Sequence, residues 1–266
     1  MKILILGANG RMGRHVVKAL GDEHTLRLTD VIDLDETPQE YFENYGLRLP
    51  NITDLEGTPH EYYKLDSSDL DQVMSAAEGM DAIINLSVMR SDRQRAFDVS
   101  ARGCYNAMAA AVEHGIRRVI NTGPHFAVAG PSTYERFDYQ LGPDVPPQPG
   151  TGVYALTKSL GLEICRVFSE NHDVHVITLL FYILCYPDDR TIEPHYRIPF
   201  IVAWSDAAAA FKSAIAIDFQ RLPSQCEVFN ISADIPHQKF SNEKTKRILG
   251  WRPEHLLEQF WRRSPG

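Results

Sequence analysis

The chain has 266 residues, of which 44% are hydrophobic, and its formal net charge at pH 7 is −8. This composition can fill the core of one large α/β domain and excludes an intrinsically disordered chain. The negative charge and the absence of a dense Lys/Arg run argue against nucleic acid or an anionic membrane as partner. The four cysteines are widely separated, and no apolar run suits a signal peptide or a membrane span. We therefore expect a cytoplasmic protein with reduced thiols.

Apolar segments of strand length alternate with helix-like segments over the first two thirds of the chain. Strands are predicted near 2–6, 25–30, 61–65, 81–86, 117–122 and 174–181. Helices are predicted near 11–20, 68–77, 93–114 and 152–171. This order is typical of a doubly wound α/β fold, in which helices cover both faces of a parallel sheet.

The pattern changes after residue 182, where prolines at 187, 194 and 199 interrupt a loop-rich stretch. A helix near 206–219 and a short strand near 226–231 follow. A last helix is predicted to begin after Ser241 or Asn242 and to end at Gly250. These features divide the chain into a first part, 1–182, and a small C-terminal cap, 183–266, which are interwoven and effectively form one domain.

Three glycines stand between the first predicted strand and the first predicted helix. Gly7, Gly10 and Gly13 follow the pattern GxxGxxG. Such glycines let backbone N–H groups approach a pyrophosphate at the N-terminus of a helix, whose dipole favours the anion. The motif predicts that the first part is a Rossmann-type dinucleotide-binding domain and that the cap binds the substrate.

Asp30 ends the second predicted strand, 17 residues after Gly13. A carboxylate at this point can accept hydrogen bonds from the adenosine ribose and would repel a 2′-phosphate, which favours NAD over NADP. Arg11 and Arg14, at the start of the first helix, offer an alternative in which a phosphate is bound. An ordinary turn residue is the other interpretation of Asp30.

Tyr154 and Lys158 lie four residues apart on a predicted helix, so both side chains project from one face. Removing a hydride from a carbinol requires a base that takes the hydroxyl proton. Tyr154 is the candidate base, because a cationic Lys158 and an oxidised nicotinamide both favour the phenolate. The spacing alone also fits a solvated pair of side chains, and only the upstream glycine turn favours catalysis.

The two motifs resemble those of the extended short-chain dehydrogenase/reductases, the NAD-dependent epimerase/dehydratase superfamily. Within it the chain is similar to the uronate dehydrogenase branch, through Pro124-His125, Cys185-Tyr-Pro187 and Ile-Leu-Gly-Trp251. The resemblance implies a homo-oligomeric enzyme of carbohydrate metabolism that uses NAD to oxidise a sugar or sugar acid. Two alternatives stay open, a sugar epimerase or dehydratase with tightly bound NAD, and a non-catalytic NAD-binding sensor.

The resemblance also implies roles for individual residues. The expected catalytic residues are Tyr154, Lys158 and Thr122. Cofactor contacts are expected at Gly7, Asn9, Gly10, Arg11, Met12, Gly13, Asp30, Asp66, Leu86, Tyr154 and Lys158. Asp66 would contact the adenine, and a helix cap is the other interpretation of this residue. Substrate contacts are expected at Ser87, His125, Arg190 and Arg197, the two arginines being rival anchors for a carboxylate.

Two positions depart from the family pattern. Gly123 stands where related enzymes carry a catalytic Ser or Thr, so Thr122 or His125 would have to polarise the reacting oxygen. Ser100 stands where the family has an Asn that supports the catalytic lysine through water. Both changes affect groups that the family uses in proton transfer.

Other kinds of active site find no support in the sequence. His172 and His175 lie three residues apart but have no carboxylate or cysteine cluster beside them, so we expect no metal. Neither a GxSxG nor a Walker motif is present, so the sequence gives no support for a serine hydrolase or a phosphoryl-transfer enzyme.

Overall fold

The computed structural model describes residues 1–35, 50–52, 55, 57–90, 92–129, 139–188, 200–236 and 239–258. Strands β1 to β9 are Lys2–Leu6, Thr25–Asp30, Glu61–Lys64, Ala82–Asn85, Arg118–Pro124, His175–Phe181, Ile183–Cys185, Ile201–Ala203 and Cys226–Asn230. Helices α1 to α7 are Arg11–Leu20, Leu70–Ala77, Arg93–Phe97, Gly103–Glu113, Val153–Asn171, Trp204–Ala216 and Glu243–Leu249. A π-helical turn, Asp98–Arg102, joins α3 to α4.

Seven parallel strands form the central sheet in the order β3-β2-β1-β4-β5-β6-β9. The first six have the 3-2-1-4-5-6 order of a doubly wound sheet, so the predicted Rossmann-type fold is confirmed. The strand order reverses between β1 and β4, and ligands of such sheets bind where the carboxyl ends of these two strands diverge. The predicted glycine turn lies at this point.

Successive residues of the strands fill two separate cores. Ile3 and Ile5 of β1 pack on one face with Val16 of α1 and Phe211 of α6. Leu4 and Leu6 pack on the other face with residues of α2, α4 and α5, including Val73, Met108 and Cys165. Because side chains alternate along a strand, a sheet buried on both faces needs a nearly continuous apolar run. This need explains the sequence Ile-Leu-Ile-Leu in β1.

The predicted helix at 93–114 is present but is interrupted by the π-helical turn. Ser100 lies in this turn, and its carbonyl oxygen would be 2.8 Å from a Cβ placed on Gly161 of α5. The turn therefore packs against α5 so closely that only glycine fits at position 161. Extra residues of this kind inside a helix occur frequently at functional sites.

Strand β5 ends two residues later than predicted, since it runs to Pro124, which pairs with Phe181 of β6. The extension places Gly123 inside the sheet. The sequence pattern missed these two residues because glycine and proline usually mark the end of a strand.

The C-terminal part contains two strands that the sequence did not predict. Strands β7 and β8 form a separate parallel pair, and each has three residues. Strand β9, expected in the cap, joins the central sheet by pairing with β6. Helix α7 ends as predicted at Gly250, whose φ of 71° places it in the left-handed region. The division of the chain at residue 182 stays a prediction.

No helix in the described part of the chain is long and apolar enough to span a membrane.

Candidate active site

The glycine turn between β1 and α1 brings backbone very close to backbone. Gly7 has a φ of 82°, and a Cβ on it would lie 3.1 Å from the backbone of Leu86 and Ser87, which follow β4. A Cβ on Gly13 would lie 2.6 Å from the carbonyl carbon of Ala8. Gly10 occupies the N-cap position of α1 without a capping side chain. The N–H groups at the start of α1 are thus not covered by a cap, which suits a pyrophosphate.

Asp30 lies beside this turn at the carboxyl end of β2. Its Oδ2 accepts a hydrogen bond from Asn9 N at 3.0 Å, and its Oδ1 accepts one from Val31 N at 2.8 Å. Burial raises the pKa of Asp30 above its ordinary value, although backbone N–H groups oppose this shift. The carboxylate therefore holds the glycine turn in shape and lies where the sequence predicts contact with the adenosine ribose.

The side chain of Arg14 is buried and forms hydrogen bonds within the protein. The side chain is 4% exposed and donates to Asn9 Oδ1 and, at 3.1 Å, to Leu34 O. Further bonds of 3.3 Å reach the carbonyl oxygens of Asn9 and Pro50. Because these carbonyl groups engage the guanidinium on several sides, the alternative in which Arg14 binds a cofactor phosphate is not supported. Arg11 and Met12 stay predicted cofactor contacts.

Lys158 connects helix α5 to the segment after β4 that borders the glycine turn. Its Nζ is buried and donates to Ser87 O at 2.9 Å. Burial lowers the pKa of this amine to about 8, and the nearby cation of Arg90 acts in the same direction. Since Ser87 and Leu86 also contact Gly7, the structure brings the cofactor turn and the predicted catalytic helix together.

Tyr154 lies one helical turn before Lys158, at the start of α5. Its ring packs edge-on against Phe126, with ring centroids 5.7 Å apart. On its face lies the guanidinium of Arg90, whose Cζ is 5.2 Å from the ring centroid. Sequence reasoning missed Arg90. The signal that could have found it is its place four residues after Leu86, in the loop that leaves the carboxyl end of β4.

Thr122 has a hydroxyl that is already engaged. Its Oγ1 donates to Asn85 O at 2.9 Å. Strand alternation places it on the same face as Ile120, which packs with α1 and α6, whereas Gly123 shares the opposite face with Asn121. The catalytic role of Thr122 stays a prediction that this geometry does not favour.

His125 lies in an aromatic environment rather than in an open cleft. It is 1% exposed and stacks on Phe200, with ring centroids 4.6 Å apart. Tyr182 and Phe240 contact the same ring edge-on. Burial lowers the pKa of His125 to about 3, so the imidazole is neutral. This burial weighs against direct contact with a substrate, and the predicted role stays untested.

Asp66 forms an ion pair with Arg95 at 3.0 Å and accepts hydrogen bonds from the backbone and side chain of Ser68. The residue that caps α2 is Asp69, whose side chain accepts from Gln72 N. The helix-cap interpretation of Asp66 is therefore wrong, and its contact with adenine stays a prediction.

Ser100 is buried in the π-helical turn, and its hydroxyl has no hydrogen-bond partner among the described residues. The predicted substrate anchors Arg190 and Arg197 lie outside the described residues.

The chain is similar to one protein family and to several solved structures. The family model described as "NAD dependent epimerase/dehydratase family" matches residues 3–198. No curated protein sequence matches the chain.

Solved structures with a similar fold include three sugar-acid enzymes. Uronate dehydrogenase from Agrobacterium tumefaciens is 22% identical with a TM-score of 0.73, and the match covers 97% of this chain and 86% of that one. Glucuronic acid dehydrogenase from Chromohalobacter salexigens is 20% identical with a TM-score of 0.74 and the same coverage. UDP-glucuronic acid 4-epimerase from Bacillus cereus, solved with NAD, is 15% identical with a TM-score of 0.72, covering 98% and 94%.

At these identities the solved structures establish the shared fold. The family model extends over most of the chain, from β1 through the glycine turn to the helix of Tyr154 and Lys158. The predicted superfamily is thereby confirmed, and the chain belongs to the NAD-dependent epimerase/dehydratase family.

Proposed function

We propose that this chain is an NAD-dependent oxidoreductase that removes a hydride from a carbinol carbon of a sugar or sugar acid, with Tyr154 as the base. One observation carries the proposal. Lys158 is buried one helical turn after Tyr154 and donates to Ser87 O, next to the glycine turn. No carboxylate among the described residues pairs with Lys158, and a lysine buried in this way usually has a use for its charge.

The residues at the turn fit NAD. Backbone N–H groups at the start of α1 would bind the pyrophosphate, and Asp30 would accept from the adenosine ribose. Because Arg14 is hydrogen-bonded to Asn9 and Leu34, it does not offer its charge to a 2′-phosphate. The carboxylate of Asp30 would repel such a phosphate, which favours NAD over NADP. When bound, NAD accepts the hydride that leaves the substrate carbon.

Tyr154 and Lys158 would accept the substrate proton and orient the cofactor, respectively. Tyr154 would take the hydroxyl proton of the substrate while the C–H electron pair leaves as hydride, so that the carbinol becomes a carbonyl. Lys158, with a pKa of about 8, is mainly protonated at pH 7 and places a cation one helical turn after Tyr154. Lys158 would also hydrogen-bond the nicotinamide ribose and thereby orient the cofactor.

The proposal is tested by incubating the purified protein with NAD and a panel of uronates, neutral aldoses and polyols while absorbance of the reduced nicotinamide is followed. We expect turnover of one sugar class and a fall in kcat of about 10²- to 10⁴-fold in Tyr154→Phe, with NAD affinity retained. Tyr105→Phe is the matched control, because Tyr105 is an exposed tyrosine on α4.

Two results would contradict the proposal. The first is an unchanged kcat in Tyr154→Phe. The second is sugar conversion without net accumulation of reduced nicotinamide, which would favour epimerisation or dehydration with the cofactor retained. That alternative is compatible with the fold shared with UDP-glucuronic acid 4-epimerase.

A further inference from the structure

Arg90 is an exposed cation beside the proposed base. It belongs to the loop that follows β4, and its guanidinium lies over the face of the Tyr154 ring at 5.2 Å. The positive charge of Arg90 acts on Lys158, whose pKa it helps to lower. Arg90 thus lies over the Tyr154 ring, and the buried Lys158 lies one helical turn after Tyr154 on α5.

The charge of Arg90 is not neutralised by the part of the chain that the structure describes. Two arginines further along the chain have acidic partners, since Arg95 pairs with Asp66 at 3.0 Å and Arg102 pairs with Asp98 at 3.0 Å. Among the described residues, no carboxylate forms an ion pair with Arg90. Placing two like charges near each other is unfavourable unless an anion joins them, and such arrangements cluster at functional sites.

The geometry of a guanidinium explains what kind of anion would fit. A guanidinium that contacts an aromatic ring through its charge keeps its N–H groups available as donors. These donors form a planar fork that matches the two oxygens of a carboxylate. A carboxylate carried by a sugar ring lies within about one ring width of the other ring carbons. Tyr154 and Arg90 are close enough to act on one such molecule.

We propose that Arg90 binds the carboxylate of a sugar acid while Tyr154 acts at the reacting carbon, and that this contact selects acidic over neutral sugars. The proposal rests on the proposed function, because that function places the substrate at Tyr154. A phosphate presents similar oxygens, so sugar phosphates form a separate arm of the test. Arg90 is then a specificity residue contributed by the loop after β4.

The test compares kcat/KM for glucuronate, glucose and glucose 6-phosphate in the wild type, Arg90→Gln and Arg90→Lys. We expect Arg90→Gln to lower kcat/KM for glucuronate about 10- to 100-fold, mainly through KM, and to change the value for glucose by less than about threefold. Arg90→Lys should recover part of the loss, because it restores the charge but not the fork. Arg93→Gln, at an exposed arginine of α3, is the matched control.

Equal losses on glucuronate and glucose would overturn the proposal, since Arg90 would then act on Tyr154 rather than on the carboxylate. A loss confined to glucose 6-phosphate would overturn it in favour of a phosphate. An unchanged KM for glucuronate in Arg90→Gln would also contradict it.

Equilibrium binding separates this proposal from the proposed function. Glucuronate is titrated calorimetrically into protein loaded with NADH, which cannot accept a hydride, so that binding is measured without turnover. We expect binding to the wild type and at least about tenfold weaker binding to Arg90→Gln, with NAD affinity and melting temperature unchanged. A protein that binds glucuronate in this way but never reduces NAD would refute the oxidoreductase function alone. Absence of glucuronate binding to the wild type would refute the role of Arg90.

Discussion

Lys158 provides a quantitative test of how the active site is built. The amine is 5% exposed, donates to Ser87 O at 2.9 Å, and has a pKa lowered by burial from 10.5 to about 8. The buried positive charge therefore destabilises the folded chain relative to the unfolded chain, in which the amine is solvated. Lys158→Met keeps most of the length of the side chain and removes the charge. We expect this variant to be inactive but more stable than the wild type in the absence of cofactor.

The size of the effect follows from the two pKa values. The pKa falls from 10.5 in the unfolded chain to about 8 in the folded chain. At about 1.36 kcal/mol for each pKa unit, the charge of Lys158 destabilises the folded chain by about 3 kcal/mol at pH 7. Lys158→Met removes this destabilisation but also loses the hydrogen bond to Ser87 O, which costs about 1 kcal/mol of stability. Lys158→Met should thus raise the free energy of unfolding by about 2 kcal/mol at pH 7.

The pH dependence has a definite sign. Because the pKa of Lys158 is lower in the folded chain than in the unfolded chain, the wild type carries the full cost of the buried charge below about pH 8. This cost disappears as the pH rises from the folded pKa of about 8 towards 10.5. The stability advantage of Lys158→Met should therefore fall by about 2 kcal/mol between pH 7 and pH 10.

Urea unfolding of both proteins at pH 7, 8, 9 and 10 measures this difference, and titrations of groups that do not interact with Lys158 cancel. Lys18→Met, at an exposed lysine of α1, is the control for loss of a surface charge. A difference that stays constant from pH 7 to pH 10 would refute the reasoning. So would a Lys158→Met protein that is less stable than the wild type at pH 7.

Two further substitutions test the glycine turn and the end of β5. Gly13→Ala places a Cβ 2.6 Å from the carbonyl carbon of Ala8, so we expect a loss of about 2 kcal/mol or more in unfolding free energy and loss of NAD binding. Gly142→Ala, where a Cβ meets nothing within 4 Å, should change stability by less than about 0.5 kcal/mol, and equal losses in the two variants would contradict the packing argument. Thr122→Val removes the bond to Asn85 O, and urea unfolding should show a loss of about 1 kcal/mol. Its kcat should stay within about threefold of the wild type, whereas a fall of about 10²-fold would establish a catalytic hydroxyl.

The positions of the central strands were predictable because each strand and each helix has its own local pattern. Six strands of the sheet and the helix of Tyr154 lie close to their predicted positions. The pair of β7 and β8 was missed because strands of three residues carry almost no periodic signal. Strand β9 was expected in the cap. The sequence did not indicate its pairing with β6, because the two strands are far apart in the chain.

Sequence alone determined the doubly wound fold, the glycine turn and the pair of Tyr154 and Lys158, because each depends on spacing within one element or on the end of one strand. Tertiary structure alone decided how the remaining polar groups are used. It engages Arg14 with carbonyl groups, including Leu34 O, directs Thr122 to Asn85 O, and places Arg90 over Tyr154. The physical reason is that these contacts join separate segments, and their partners are set by how strands, loops and helices pack.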